Sequence, residues 1–452
     1  MSENRFNYFN LNNRSFYIPL FLLFFIYFTL RALYVSPFCD EIGTFFDYVE
    51  TGNIWEATPN LSSANNHLLV TYVARFFYNI AGNNMFLFRL ISLLSFAVYF
   101  FVCLRLVRET IVSRFNVLVF VGLLSIAWID DFFSYARGYA FAVSVFFTCI
   151  YLFIRWKNKF DLKTFVFILA LGWLTVFANL AFLNSIFVLL GYSIVLLLLN
   201  IKKMTRLKLL MHCASIGLFV WSLLPLINYS FQLKEAGALW WGNKIGWWES
   251  TVKLLFELTL FKAEDWMFYG VLALFLLLLL WTLYRFQKVG FVAFLHSSKG
   301  IIVLLFFGHV LLTQLLVLFV GVNYPSDRVA MIYVLLFILA LSFIIDVRSK
   351  LRFFMLLLLF FPITFVLQLN LDTSVYMGHT RVSKASFEAI KNELAISKSF
   401  DMDGLDYRNY IYEARNQKKV VIANLQNEAS VPVISFSKYI SSINDQWQPS
   451  ED

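Results

Sequence analysis

The amino-acid sequence predicts an all-α polytopic membrane protein, a bundle of about eleven transmembrane helices with extracytoplasmic interfacial helices and a small C-terminal α/β appendage. Three observations lead there. Of 452 residues, 60% are hydrophobic and only 14% charged, with a mean hydropathy of +0.71, whereas soluble domains keep their apolar share near about half. Apolar runs close to the ~20 residues needed to cross a bilayer recur along most of the chain. Basic residues gather at every second turn between the runs, the pattern by which membrane proteins fix their orientation. The net charge of +9 is thereby assigned to topology and not to a nucleic-acid partner.

The runs are Phe16 to Val35, Phe86 to Val107, Phe115 to Phe132, Ser134 to Ile154, Leu162 to Asn179, Phe182 to Leu199, Leu207 to Tyr229, Met267 to Tyr284, Ile301 to Val320, Val329 to Ile345 and Phe353 to Leu369. The first is too long, and too poor in small residues at its end, for a removable signal, so it reads as a retained span with a cytoplasmic N-terminus in the plasma (inner) membrane. Arg105, Arg108 and Arg114, then Arg155, Lys157 and Lys159, then Lys202, Lys203 and Arg206, then Arg285 and Lys288, then Arg348, Lys350 and Arg352 mark the cytoplasmic turns. The acidic motifs fall on the opposite, extracytoplasmic face. Residues 1–369 form the membrane module on this reading, and 370–452 an extracytoplasmic domain. Its apolar runs Val420 to Leu425 and Val431 to Phe436 suggest the α/β appendage.

In the first outer loop Leu68, Leu69, Val73, Phe76, Phe77 and Ile80 recur at helical spacing, with Asn65, Asn66, His67, Thr71 and Arg75 offset from them. That pattern fits a helix lying in the membrane interface. Trp240, Trp241, Trp247, Trp248 and Trp266 read as interfacial anchors in a second long loop. Cys103, Cys149 and Cys213 lie in or beside apolar runs and only Cys39 stands at a loop mouth, which argues against a disulfide framework.

Asp40 and Glu41, at the mouth of the first span, are the leading candidates for chemistry, because adjacent carboxylates there are costly unless used or neutralised. Asp40 following Pro37 would equally serve as a helix cap, with Glu41 favouring the helix dipole. Asp130 and Asp131 end the third span. Arg137 opens the fourth within Tyr135-Ala136-Arg137-Gly138-Tyr139; a guanidinium there needs a phosphate or a carboxylate, and Asp130 or Asp131 would suffice. Arg328 opens the tenth span, as a site residue or a snorkelling anchor.

The order Asp40-Glu41, then Asn66-His67-Leu68-Leu69, then Phe88-Arg89-Leu90-Ile91-Ser92, then Tyr135-Ala136-Arg137-Gly138-Tyr139 resembles the multi-pass glycosyltransferases of the GT-C fold. The nearer likeness is to their bacterial branch, akin to the protein mannosyltransferases and lipid A aminoarabinose transferase, and it is best over Pro19 to Trp156. The resemblance implies transfer of a sugar from a polyprenyl-phosphate donor to a glycan, lipid or protein acceptor on the extracytoplasmic face of the bilayer. It makes Asp40 the base or acceptor-orienting group, with Glu41 beside it and Asp130 or Asp131 as a second carboxylate. Tyr135 stands where many relatives carry an acidic or amide residue. Arg137, Arg328, His67, Arg75 and Tyr139 are candidates for the donor phosphate.

A divalent cation, Mg or Mn, held by Asp40 and Asp131 is a further option, as in the oligosaccharide-transferring relatives. A single displacement would invert the anomeric centre. A lipid-linked-sugar flippase or transporter, and a polysaccharide polymerase or ligase, are the competing readings; internal repeats and midplane charges, expected of a transporter, are missing from the sequence.

Overall fold

The computed structural model describes residues 11, 13–35, 37, 39–57, 66–111, 115–239, 242, 244–260, 264–347, 352–371 and 374–375. The described residues contain helices and no β-strand. Among the described residues eight helices are long and apolar enough to cross a membrane, and a ninth span is counted if Asn116–Leu123 and Ala127–Ser134, bent by 52° at their junction, act together. Two further expected spans are helical but shorter or irregular. Leu162–Ala178 has 17 residues, and the last run is a 3-10 segment, Arg352–Leu359, continued by Phe360–Leu367. The chain is thus a multi-pass helical membrane protein; the appendage expected beyond residue 375 lies outside the described residues.

The first span is α1 (Arg14–Tyr34), followed by a short α2 (Cys39–Thr44) that runs into a π-helix, Phe45–Glu50. The interfacial helix α3 (Leu68–Ala81) is two-faced, but not along the predicted stripe: Leu68, Val70, Thr71 and Ala74 are buried, while Tyr72, Phe76 and Ile80, four residues apart, are exposed. Residues at that spacing stack on one side of a helix. The second span, α4 (Met85–Thr110), is followed by α5 (Asn116–Leu123), α6 (Ala127–Asp130) and a 3-10 turn, Asp131–Ser134. Then come α7 (Gly138–Lys159), α8 (Leu162–Ala178) and α9 (Leu183–Leu199). The remaining elements used below are α10 (Arg206–Glu235), α14 (Ser298–Val320) and α15 (Met331–Val347), with α11 (Leu254–Leu260), α12 (Asp265–Val289) and α13 (Phe291–Leu295) between them.

Short polar residues start the spans by accepting from otherwise unpaired amides: Asn84 from Leu87, Asp161 from Thr164, Thr205 from Lys208 and Ser297 from Gly300. Asn179 does the same for Ala181, separating α8 from α9 at the place where the two apolar runs nearly merge. The hydrophobic core is built where α4 packs on α7, α7 on α8 and α1 on α4.

The two ends of the bundle differ in chemistry. At the end predicted to be cytoplasmic, Lys157 donates to the His296 carbonyl and Ser298, Asn200 meets His296, and Lys208 donates to the Lys159 carbonyl. At the other end the acidic motifs converge with four arginines.

Candidate active site

The site is made of span ends. Arg31 lies one turn before the end of α1, Asp40 and Glu41 are in the first turn of α2, and Arg89 is in the first turns of α4. Arg137 immediately precedes α7, and Arg328 sits in the 3-10 turn Asp327–Ala330 that leads into α15. The fourth span begins at Gly138 and not at Ser134, because residues 131–134 form the 3-10 turn and Tyr135 and Arg137 have extended backbones. Arg137 therefore stands at the mouth of the span and not a turn inside it.

Three carboxylates, in four ion pairs, order this region. Glu41 is gripped on two sides by Arg89, whose Nε and Nη2 donate to its Oε1 and Oε2 at 2.9 and 2.6 Å, and it also accepts from the Ala136 amide at 2.6 Å. Arg89 Nη1 in turn donates to the carbonyls of Ala32 and Val35, and its guanidinium lies 5.1 Å from the centre of the Tyr135 ring. Tyr135, at the position where the resemblance implies an acidic or amide residue, thus supplies an aromatic face to Arg89. Glu41, expected to work beside Asp40, has its acceptors engaged by the fold.

Asp131 pairs with Arg31 at 2.5 Å and accepts from Ser374 Oγ and the Val375 amide at 2.8 and 2.6 Å. Asp130 lines, with Tyr27, Arg31, Asp131 and Gln368, a crevice too narrow to hold a water molecule. The expected pairing of Arg137 with either of these aspartates does not occur; its ion-pair partner is Asp40.

The third cluster holds Asp40, Arg137 and Arg328. Arg328 Nη1 is 2.5 Å from Asp40 Oδ2, and Arg137 Nη2 is 3.7 Å from the same oxygen. Arg137 Nη1 donates to Thr44 Oγ1 at 3.1 Å and to the Asp40 carbonyl at 3.3 Å, and its own carbonyl accepts from Ser92. Arg137 is fully buried, and its Nε and Nη2 have no hydrogen-bond acceptor among the described residues. Burial first, opposed by Asp40 and reinforced by Arg328, pulls its pKa below the usual value.

Tyr139 and His67 complete the cluster. The Arg328 guanidinium lies 5.9 Å from the Tyr139 ring centre, and the His67 ring packs edge-on against Tyr139 at 4.7 Å. Arg75, also expected here, is placed elsewhere: its Nη1 donates to the carbonyls of Val49 and Glu50, closing the end of the π-helix.

The four buried guanidiniums Arg31, Arg89, Arg137 and Arg328 face the three paired carboxylates Asp40, Glu41 and Asp131. Among the described residues Arg89 and Glu41, and Arg31 and Asp131, pair one to one, whereas Arg137 and Arg328 both turn to Asp40. Such a site is suited to an anion carrying several acceptor oxygens, since guanidiniums offer forked donors. It does not suit a divalent ion. Asp40 and Asp131 are both turned to guanidiniums, and no group of three or more His, Cys, Asp or Glu side chains among the described residues could hold a metal.

Arg31, Arg89 and Thr44 were not singled out by residue type. The signal for the two arginines was present, since a guanidinium inside an apolar run requires a partner, but the sequence did not say which acid each would take.

No protein-family model matches the chain, and no curated protein matches its sequence. A solved structure similar to it is the crystal structure of ArnT from Cupriavidus metallidurans bound to undecaprenyl phosphate, at 14% identity and a TM-score of 0.45, over 88% of this chain and 75% of that one.

Proposed function

We propose that the protein is a membrane glycosyltransferase that moves a sugar from a polyprenyl-phosphate donor to an acceptor hydroxyl on the extracytoplasmic face. The observation that carries this reading is the pair Arg137 and Arg328 sharing the single carboxylate of Asp40, with two Arg137 nitrogens lacking an acceptor. A lipid-linked phosphate would supply the missing oxygens at the membrane boundary, where its polyprenyl chain stays in the bilayer. The ordered motifs that resemble the GT-C glycosyltransferases support the same reading.

In the reaction, the acceptor oxygen attacks the anomeric carbon while the bond from that carbon to the phosphate oxygen breaks. Polyprenyl phosphate leaves with the bonding electrons, so no strong acid is needed at the leaving oxygen. Arg137 and Arg328 hold the charge that grows on the phosphate, which is where preorganised donors act most strongly. As the phosphate engages the guanidiniums, Asp40 is released to accept the proton of the attacking hydroxyl. One displacement of this kind inverts the anomeric centre.

Purified protein incubated with a panel of polyprenyl-phosphate sugars and candidate acceptors, with products read by mass, tests the activity. Asp40→Asn is expected to abolish transfer while binding undecaprenyl phosphate at least as tightly as the wild type, because a competing negative charge has been removed. Arg137→Lys, which loses forked donation, is expected to weaken undecaprenyl phosphate binding by about tenfold or more. Retained transfer by Asp40→Asn would remove it as the base, and undiminished lipid-phosphate affinity in Arg137→Lys would leave Arg137 a structural ion-pair member.

A further inference from the structure

Two aromatic rings lie open at the end of the bundle that carries the arginine cluster. Trp55, in the turn after the π-helix, and Tyr72, in the second turn of α3, are each 41% exposed. The Trp55 indole N–H donates to the Tyr72 hydroxyl at 2.6 Å, so the rings are joined at their polar edges. Two further rings pack against them. Phe177, near the end of α8, is tilted 31° from Trp55 and 33° from Tyr72 at 6.3 and 5.9 Å, and the buried ring of Tyr229 in α10 stands edge-on to Trp55 at 5.4 Å.

The turn that presents Trp55 is pinned on both sides. The Glu56 amide donates to the Asn53 carbonyl at 3.1 Å. Asn66 Nδ2 donates to the Ile54 carbonyl at 2.7 Å and to the Tyr229 hydroxyl at 3.3 Å, while its Oδ1 accepts from Thr71. A surface fixed in advance loses little freedom when a ligand is laid on it.

Exposed Trp and Tyr in a membrane protein commonly anchor it at the bilayer surface, with the N–H and O–H turned to the headgroups. Two features set this pair apart. Its indole N–H is taken up by the neighbouring hydroxyl, and Trp55 is flanked by the exposed polar residues Thr51, Asn53 and Glu56. A carboxylate in that rim belongs in water and not in the hydrocarbon boundary. An aromatic face with a polar rim suits a sugar ring: the face carries partial negative charge that draws the sugar's C–H groups, and the rim meets its hydroxyls.

The rings are continuous with the proposed catalytic cluster. Phe177 precedes Ala178, and Asn66 precedes His67; the Ala178 carbonyl oxygen and His67 Cβ lie 1.9 and 3.0 Å from where a side chain at Gly138 would begin. Gly138 directly follows Arg137. Both supports of the aromatic pair are thus one residue from the backbone crossing beside Arg137.

Resting on the glycosyl-transfer reading above, we propose that the acceptor is a glycan, and that Trp55 and Tyr72 form its subsite by stacking on a sugar ring next to the one that carries the attacking hydroxyl.

Binding is measured first without donor, on the full-length protein in nanodiscs, with cellotetraose, chitotetraose and mannotetraose as probes. At least one should bind the wild type, and Trp55→Ala and Tyr72→Leu, on separate elements, should each weaken it by about tenfold, the scale of a lost aromatic contact. Trp55→Phe, which keeps a ring and drops the N–H, should stay within about threefold, and undecaprenyl phosphate affinity within about twofold in all three. In transfer to a glycan acceptor, Trp55→Ala should raise the acceptor KM about tenfold and leave kcat and the donor KM in place, whereas a merely structural role would lower kcat and the melting temperature.

Failure of every tetraose to bind the wild type, or undiminished binding in both Trp55→Ala and Tyr72→Leu, would overturn the assignment. So would fluorescence of Trp55, taken as the difference from Trp55→Phe, that is quenched by acyl-brominated lipid and not by aqueous iodide, which would make the pair a bilayer anchor. Transfer to a sugar-free lipid or protein acceptor, with an unaltered KM in Trp55→Ala, would remove the subsite and leave the glycosyl-transfer reading intact. Tetraose binding through Trp55 in a protein that transfers no sugar from any polyprenyl-phosphate donor would instead defeat that reading, and the acceptor role with it.

Discussion

Glu41 and Asp40 are neighbours in sequence and opposites in employment. Glu41 closes a network of two Arg89 donors and the Ala136 amide, so Glu41→Ala leaves a buried guanidinium without its counter-charge, a change that costs about 3–5 kcal/mol. The expected outcome is a lower thermal midpoint and poor recovery from the membrane; a variant as stable as the wild type but inactive would instead return Glu41 to the chemistry. His67 gives a pH signature of its own. Its folded-state pKa is depressed by burial and then by Arg137 and Arg328. As pH falls below about 6.5 the unfolded chain takes up a proton that the folded one refuses. Stability from this residue is therefore complete above that pH and declines toward acid, by up to about 1.4 kcal/mol per pH unit, until the folded-state value is reached. The fall in melting temperature between pH 7 and pH 5 should be smaller in His67→Asn than in the wild type, and equal falls would refute the account. Asp40, Arg137, Arg328, His67 and Tyr139 could be named from the sequence because charges and polar rings at span mouths are expensive. Their division of labour could not, since the choice of Arg89 for Glu41 and Arg31 for Asp131 depends on how α1 and α4 lie against the 3-10 turn.

Helix ends do the positioning. Gly138 opens α7 directly after Arg137, and a Cβ there would stand 1.9 Å from the Ala178 carbonyl oxygen and 3.0 Å from His67 Cβ. The backbone of α7 can approach the end of α8 this closely only without a side chain. Gly138→Ala must push α7, α8 or His67 apart, an overpacking cost of about 1–3 kcal/mol. It should also reduce transfer by more than the stability loss explains, because Arg137 and His67 flank the clash. A fully active Gly138→Ala protein would show that the close approach is not needed. On the other side of the cluster, Asp327 adopts a left-handed backbone, φ 50°, immediately before Arg328. For a residue with a side chain that conformation costs roughly 1–2 kcal/mol, a strain borne where the chain must turn from the outer loop to aim Arg328 at Asp40. Helix periodicity exposed α3 in the sequence but not which side it buries, since Thr71 is buried while Phe76 and Ile80 are exposed. The extended Tyr135 to Arg137 link left no such mark, because an apolar run reads the same whether it is one helix or two pieces with a break.

The bundle as a whole has one end rich in buried ion pairs and one with a polar seam through Lys157, Asn200 and His296. The alternation of basic turns foretold which loops would share an end, and the contacts agree, since Lys208 reaches Lys159 and Arg328 reaches Asp40. On the predicted orientation, in a background carrying Cys39→Ser and Cys213→Ser, a membrane-impermeant maleimide applied to intact cells should label Glu56→Cys and leave Lys202→Cys unlabelled until the cells are opened; the reverse pattern would invert the topology. The apolar runs were legible because each is a local property of sequence. The number of true crossings was less so, since the bent pair at Asn116–Leu123 and Ala127–Ser134 and the 17-residue Leu162–Ala178 depend on packing. One outcome of drawing the anion cradle from both ends of the chain concerns its birth at the ribosome. Asp40 and Arg137 enter the bilayer early, but Arg328 emerges only with the tenth apolar run, so a nascent chain holding the first nine carries an aspartate and one guanidinium in near balance. The second guanidinium on Asp40 thus arises late in synthesis, and a half-inserted polypeptide holds that carboxylate with Arg137 alone.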